Sequence, residues 1–116
     1  MDCIELKKLI LYAYHGVLKH ERIIGNNYRI DLKLFLDLSK AIESDMLEDT
    51  LDYADIFDLV KEEMAIHSQL LEHVAGRIVG KIKQKYPNIS KITIRLAKIN
   101  PPIAGKIQEA AVIITK

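Results

Sequence analysis

Between residues 28 and 38 the chain reads YRIDLKLFLDL, with apolar side chains at 28, 30, 32, 34, 36 and 38. Arg29, Asp31, Lys33 and Asp37 lie between them. A period of two sends the two sets to opposite faces of a pleated chain, so this stretch predicts a long strand with one dry face. IELKKLILYAY, residues 4–14, reads as a strand through Ile4, Leu6, Leu9 and Leu11. HGVLKHERIIGN separates the two, with Gly16 and Gly25 near its ends and room for one helical turn in its middle. The pair is expected to be antiparallel with a wide connection.

From Tyr53 the period lengthens. Ile56, Leu59, Val60 and Met64 fall on one helical face, and Asp55, Asp58, Lys61 and Glu62 face away. Thr50 and Asp52 are candidate caps. A second helix is expected from Ser68 or Gln69, with Leu70, Leu71, Val74, Ala75, Ile78, Val79 and Ile82 as its stripe and KYPN as its stop. Strands are expected at 89–98 and 107–115. The order ββααββ predicts an α+β fold: one four-stranded antiparallel sheet with both helices on one face, a single domain over 1–116. Long strands with apolar edges invite pairing with another chain, so oligomerisation is expected to close them.

Composition narrows the function classes. Of 116 residues, 49% are hydrophobic and 28% charged, and the net charge is +1. No basic block exceeds two residues, which argues against a nucleic-acid backbone or an anionic membrane as the partner. No apolar run approaches the ~20 residues that span a bilayer. The N-terminus alternates apolar residues with Glu5, Lys7 and Lys8, unlike a signal peptide. The lone Cys3 leaves no internal disulfide or multi-cysteine zinc site, and a cytoplasmic location is the default expectation.

The candidate chemistry is a set of polar residues, each with an ordinary alternative. In IRLAKINPPIAG, Lys98 ends a strand and Asn100-Pro101-Pro102 comes directly after. Most lysines are simply solvated, but two prolines stiffen the turn beyond this one, and proline biases the residue before it to extended geometry. Glu72 lies near the start of the second helix. It is either a carboxylate favoured by the helix dipole or an anchor taking two parallel hydrogen bonds from an amidine-like edge. Tyr53 is a half-buried aromatic or a functional phenol. Glu21 is a surface charge or a site residue, and His15-Gly16 marks a turn with His15 bonding locally. His67 and His73 have no third ligand in register, and His20 with Glu21 completes none, so no metal is expected. No phosphate loop, Ser-His-Asp set or nucleophilic cysteine stands out. Spacing alone names no reaction.

YHGVLKHERIIGN, DTLDYADIF, LLEHVAGRI and above all KINPPIAG, in this order, resemble dihydroneopterin aldolases of folate biosynthesis over nearly the whole chain. The resemblance implies the tunnelling fold, in which four subunits close their sheets into a barrel and two rings stack as an octamer, with active sites between subunits. It implies retro-aldol cleavage of 7,8-dihydroneopterin, often with C2′ epimerisation, and no metal, Schiff base or cofactor. Glu72 would hold the pterin's 2-amino and ring N–H edge, with the Leu71 backbone beside the ring. Tyr53, from a neighbouring subunit, and Lys98 would be catalytic, and Glu21 would act near the reacting end through water. The pattern departs at Ala104, where many relatives carry a second proline, and at Gln69, often Asn. These departures bear on affinity more than on activity. The alternatives are an epimerase acting on dihydroneopterin triphosphate, disfavoured by the lack of an arginine cluster, and a non-catalytic oligomeric pterin-binding module.

Overall fold

The structure is a computed structural model that describes all of residues 1–116. In chain order it contains strand β1 (Cys3–Ala13), helix α1 (Lys19–Ile24), strand β2 (Asn26–Phe35), helix α2 (Ser39–Ser44), one 3₁₀ turn (Leu47–Asp49), helices α3 (Tyr53–Met64) and α4 (Leu71–Lys85), and strands β3 (Lys91–Ile99) and β4 (Glu109–Thr115). The strands form one antiparallel sheet in sequence order. The α+β architecture expected from the sequence is the one observed.

The period of two in β2 is realised. Tyr28, Ile30, Leu32 and Leu34 are fully buried, while Lys33 on the other face is exposed. The β2–β3 register sets Ile30 against Leu96, Leu32 against Ile94 and Leu34 against Ile92, so one face of the sheet is a continuous apolar surface. α3 packs against β1, and α4 packs against β3 and β4. Ile56, Val60 and Met64 of α3, with Val74, Ile78 and Ile82 of α4, close the core over that face. Burying each such side chain contributes roughly 1.5–3 kcal/mol, which is why the two longer helices lie on one side.

The boundaries shift where local hydrogen bonds intervene. In β1 the apolar positions change parity between Leu6 and Leu9, and the register skips at the same place. Lys8 takes a left-handed φ of 56° and its N–H donates to Asp31 Oδ1 at 3.0 Å, which marks a bulge. β2 leaves the sheet after Phe35 rather than at Leu38. α3 begins at Tyr53 as expected, because the Asp52 carboxylate accepts from the Ala54 N–H at 2.9 Å. α4 begins at Leu71, later than Ser68 or Gln69, because the polar groups of Ser68 are engaged elsewhere. β3 starts at Lys91 and β4 at Glu109, each two residues later than expected. No helix is long and apolar enough to cross a membrane.

Candidate active site

Lys98 continues the core-facing series Ile92, Ile94, Leu96 on β3 and sits opposite Tyr28 in the register. A lysine at a core-facing position must find partners at the rim of the core or carry an uncompensated charge there. Its side chain is 12% exposed, and its Nζ donates to Glu21 Oε2 at 2.5 Å and to the His15 carbonyl at 3.3 Å. Glu21 is therefore no surface charge: its side chain is 11% exposed. Burial by itself would raise the Glu21 carboxyl. The hydrogen bond and charge of Lys98, with the Leu18 N–H, outweigh that and hold it below its usual range.

α1 and the segment leading into it aim this carboxylate. Leu18 N–H donates to Glu21 Oε1 at 3.3 Å. Gly16 has a φ of 148°, and a Cβ there would lie 2.5 Å from the Glu21 carboxyl carbon, so the carboxylate occupies space that only glycine leaves open. Tyr28, fully buried, donates its hydroxyl to the His15 carbonyl at 2.9 Å. Burial first, and the Glu21 charge after it, push the Tyr28 phenol up to about 12, so it stays a donor. The His15 carbonyl thus receives both the Tyr28 hydroxyl and the Lys98 ammonium.

The His15 ring does not bond locally, contrary to expectation. It is 1% exposed, and its Nδ1 accepts the N–H of Ser68, 53 residues away, at 3.1 Å. Gly16 N–H donates to the Ser68 carbonyl at 3.0 Å. The His67 ring Nε2–H reaches the Gly16 carbonyl at 3.2 Å. Ser68 Oγ lies 2.7 Å from His73 Nδ1 and takes a 3.0 Å bond from Arg77, which also donates to Ile66 O at 2.8 Å and to Glu63 Oε1 at 2.8 Å. Burial, then the charges of Arg77, His67 and Lys98, lower the His15 imidazole to about 4, and a contact with the Met64 backbone opposes this.

A cleft of about 230 Å³ opens beside the pair, lined by His15, His20, Glu21, Asn26, Asn100 and Pro102 among others. Asn100 corrects the expected extended geometry before proline: its φ is 49°, and its N–H closes the loop on Gln108 O at 2.8 Å. Asparagine tolerates this left-handed turn, so Asn100 and the prolines together end the strand. Leu71 and Glu72 open α4, with Leu71 packed on the core and Glu72 exposed in the first turn. Tyr53 opens α3 and is 67% exposed. Neither Tyr53 nor Glu72 lines the cleft beside Lys98. The single chain unites Lys98 and Glu21 and leaves the other two outside that cluster. His15, Tyr28, Ser68 and Arg77 were not singled out for the site. Tyr28 alone carried a readable signal, as a hydroxyl on the dry face of β2.

A four-stranded antiparallel sheet carrying a partly buried lysine–carboxylate pair at a strand end, beside a cleft, fits a small α+β enzyme. The dihydroneopterin aldolase family model matches residues 4–115. The dihydroneopterin aldolase of Bacillus subtilis (strain 168) is 34% identical over 117 residues, covering 100% of this chain and 98% of that protein. Its counterpart from Streptococcus pyogenes serotype M1 is 39% identical over 106 residues, covering 90% and 89%. The structure of E. coli dihydroneopterin aldolase in complex with neopterin superposes with a TM-score of 0.92 at 26% identity, covering 100% and 99%. Urate oxidase from Bacillus sp. TB-90 shares the fold alone, at 11% identity and a TM-score of 0.70 over 44% of its length. The chain belongs to the dihydroneopterin aldolase family, a family of aldehyde-lyases.

Proposed function

We infer that the chain cleaves 7,8-dihydroneopterin between C1′ and C2′, giving 6-hydroxymethyl-7,8-dihydropterin and glycolaldehyde. The observation that carries this reading is the Lys98 ammonium held between the Glu21 carboxylate and the His15 carbonyl, at the end of a strand that the adjoining loop fixes. In the reaction the C2′ hydroxyl loses its proton and the C1′–C2′ electron pair passes into the C6=N5 imine of the pterin. The resulting enamine then takes a proton at C1′. The substrate is its own electron sink, so no metal or Schiff base is required. The protein has to hold the ring and move two protons. Glu72 holds the 2-amino and ring N–H edge, with the Leu71 backbone beside the ring. Lys98 exchanges protons with the reacting end, through water ordered by Glu21, and Tyr53 of a neighbouring subunit completes the site. Return of glycolaldehyde to the opposite face would epimerise C2′. The working form is a homo-oligomer, tetramer or octamer, its sheets closed into a barrel, and a cytoplasmic location fits folate biosynthesis.

Chromatography of the protein incubated with 7,8-dihydroneopterin tests the activity, and the hydroxymethyl product is expected. Lys98→Ala should bind neopterin nearly as well as the wild type yet lose about 10²–10⁴ in kcat, the range for a removed acid or base. Borohydride added during turnover should trap no adduct. A reduced substrate adduct on Lys98 would overturn the mechanism, and near-normal turnover by Lys98→Ala would overturn the residue's role.

A further inference from the structure

His15 and Gly16 face two ways. On one side the His15 carbonyl anchors Lys98 and Tyr28, and the bare Gly16 Cα leaves room for the Glu21 carboxylate. On the other side the same two residues hold Ser68 at two points, the Ser68 N–H on His15 Nδ1 and the Ser68 carbonyl on the Gly16 N–H. Ser68 stands three residues before Leu71, where α4 begins. We propose that His15 is a positioning residue, whose Nδ1 locks the Ser68 loop, and through it the pterin-holding start of α4, in register with the Glu21–Lys98 pair.

The choice of histidine supports a role beyond packing. The side chain is almost wholly buried, and its Nε2 has only the Met64 backbone near it, without a hydrogen bond of ordinary geometry. An apolar side chain of similar volume would fill the space without a poorly paired donor, so the ring is kept at a cost to stability. What the ring supplies is one acceptor, and only when neutral. Arg77 from α4, His67 from the loop and Lys98 from β3 all face it with positive or protonatable groups, and the uncharged Tyr28 ring meets it edge-on from β2, 5.3 Å away. These neighbours and burial keep the Nδ1 lone pair free for Ser68. The carboxylates of this region, Glu21 and Glu63, are already paired with Lys98 and Arg77.

The proposal rests on the aldolase reading for its effect on rate. Glu72 fixes the ring and Lys98 meets the side chain, so the relative placement of the two segments decides whether the bond to be broken lies against the proton carrier. A misplacement of about 1 Å costs up to roughly 100-fold. His15→Asn puts an amide oxygen close to the position of Nδ1. His15→Gln carries its acceptor one carbon further out, and His15→Leu has none. The expected kcat for His15→Asn is within about threefold of the wild type, while His15→Gln and His15→Leu fall about 10- to 100-fold. Neopterin affinity by calorimetry should change less than about threefold in all three, a split that general destabilisation would not give. Amide exchange at Ser68 provides a readout free of catalysis: protection should persist in His15→Asn and drop in His15→Leu. Equal kcat for the Asn and Leu variants, or unchanged Ser68 protection in His15→Leu, would overturn the proposal. A wild type that turns over no dihydroneopterin would instead overturn the aldolase reading, with the Ser68 exchange still deciding the pairing.

Discussion

At Gly16 the place where a side chain would begin is filled by the Glu21 carboxylate. The end of a glutamate can swing aside, so Gly16→Ala need not unfold the chain, but the displaced carboxylate then leaves Lys98. The φ of 148° adds backbone strain of about 1–3 kcal/mol. Gly16→Ala is therefore expected to lose that much in urea unfolding and to lower kcat about as far as Glu21→Ala does. The double variant should be no slower than Glu21→Ala alone, since both remove one interaction; additive losses in kcat would show that Gly16 acts otherwise. Single residues were unevenly legible in the sequence. Lys98 could be read because KINPP sets it off, and its parity with Ile94 and Leu96 now explains its partial burial. Glu21 looked like any loop carboxylate. His15 reads from the sequence as a local turn residue, because its partner is 53 residues away and local spacing carries no trace of that bond.

Among the elements, the two long helices differ in how their starts are held. Asp52 caps α3 with its own side chain, a signal written next to the first turn. Leu70 precedes α4 and makes no side-chain cap bond, so its start was misread by two or three residues. Arg77 holds that region from within the helix, donating to Glu63, to the Ile66 carbonyl and to Ser68 Oγ. The guanidinium reaches these acceptors from two separate nitrogens, whereas an ammonium would have to reach all of them from one point. Arg77→Lys is expected to cost about 1–3 kcal/mol, read as a lower denaturant midpoint, with faster amide exchange concentrated in residues 66–70. Exchange spread evenly over α4 would argue against a local staple. α2 escaped the sequence reading for a related reason: its six residues bury no side chain, so no apolar stripe exists to be found. The slip of parity from Leu6 to Leu9 was visible in the sequence, and the bulge at Lys8 is its physical form.

The molecule as a whole is elongated, 53 × 24 × 20 Å, with β1 and β4 each leaving one edge unpaired. Ile10, Tyr12 and Tyr14, on or just after β1, and Val17, Ile23 and Ile24 in the connection to β2 are all more than 45% exposed. An open edge beside so much apolar surface is costly to leave in water and ready to pair with another copy. In the proposed site, association is what supplies Tyr53, which does not line the cleft that Glu21 lines beside its own Lys98. The proposed sharing of sites can be tested by complementation. Tyr53→Ala and Lys98→Ala should each be nearly inactive alone. Co-expressed in equal amounts, they should assemble randomly, and a site drawing Tyr53 from one copy and Lys98 from another is intact in about one case in four. The mixture is thus expected to regain about a quarter of wild-type kcat per site, with sedimentation showing assemblies of wild-type size. Recovery should disappear if the two variants are purified apart and mixed under conditions where subunits do not exchange. A co-expressed mixture that sediments as wild type yet stays as inactive as its parents would mean that both residues serve a site within one chain.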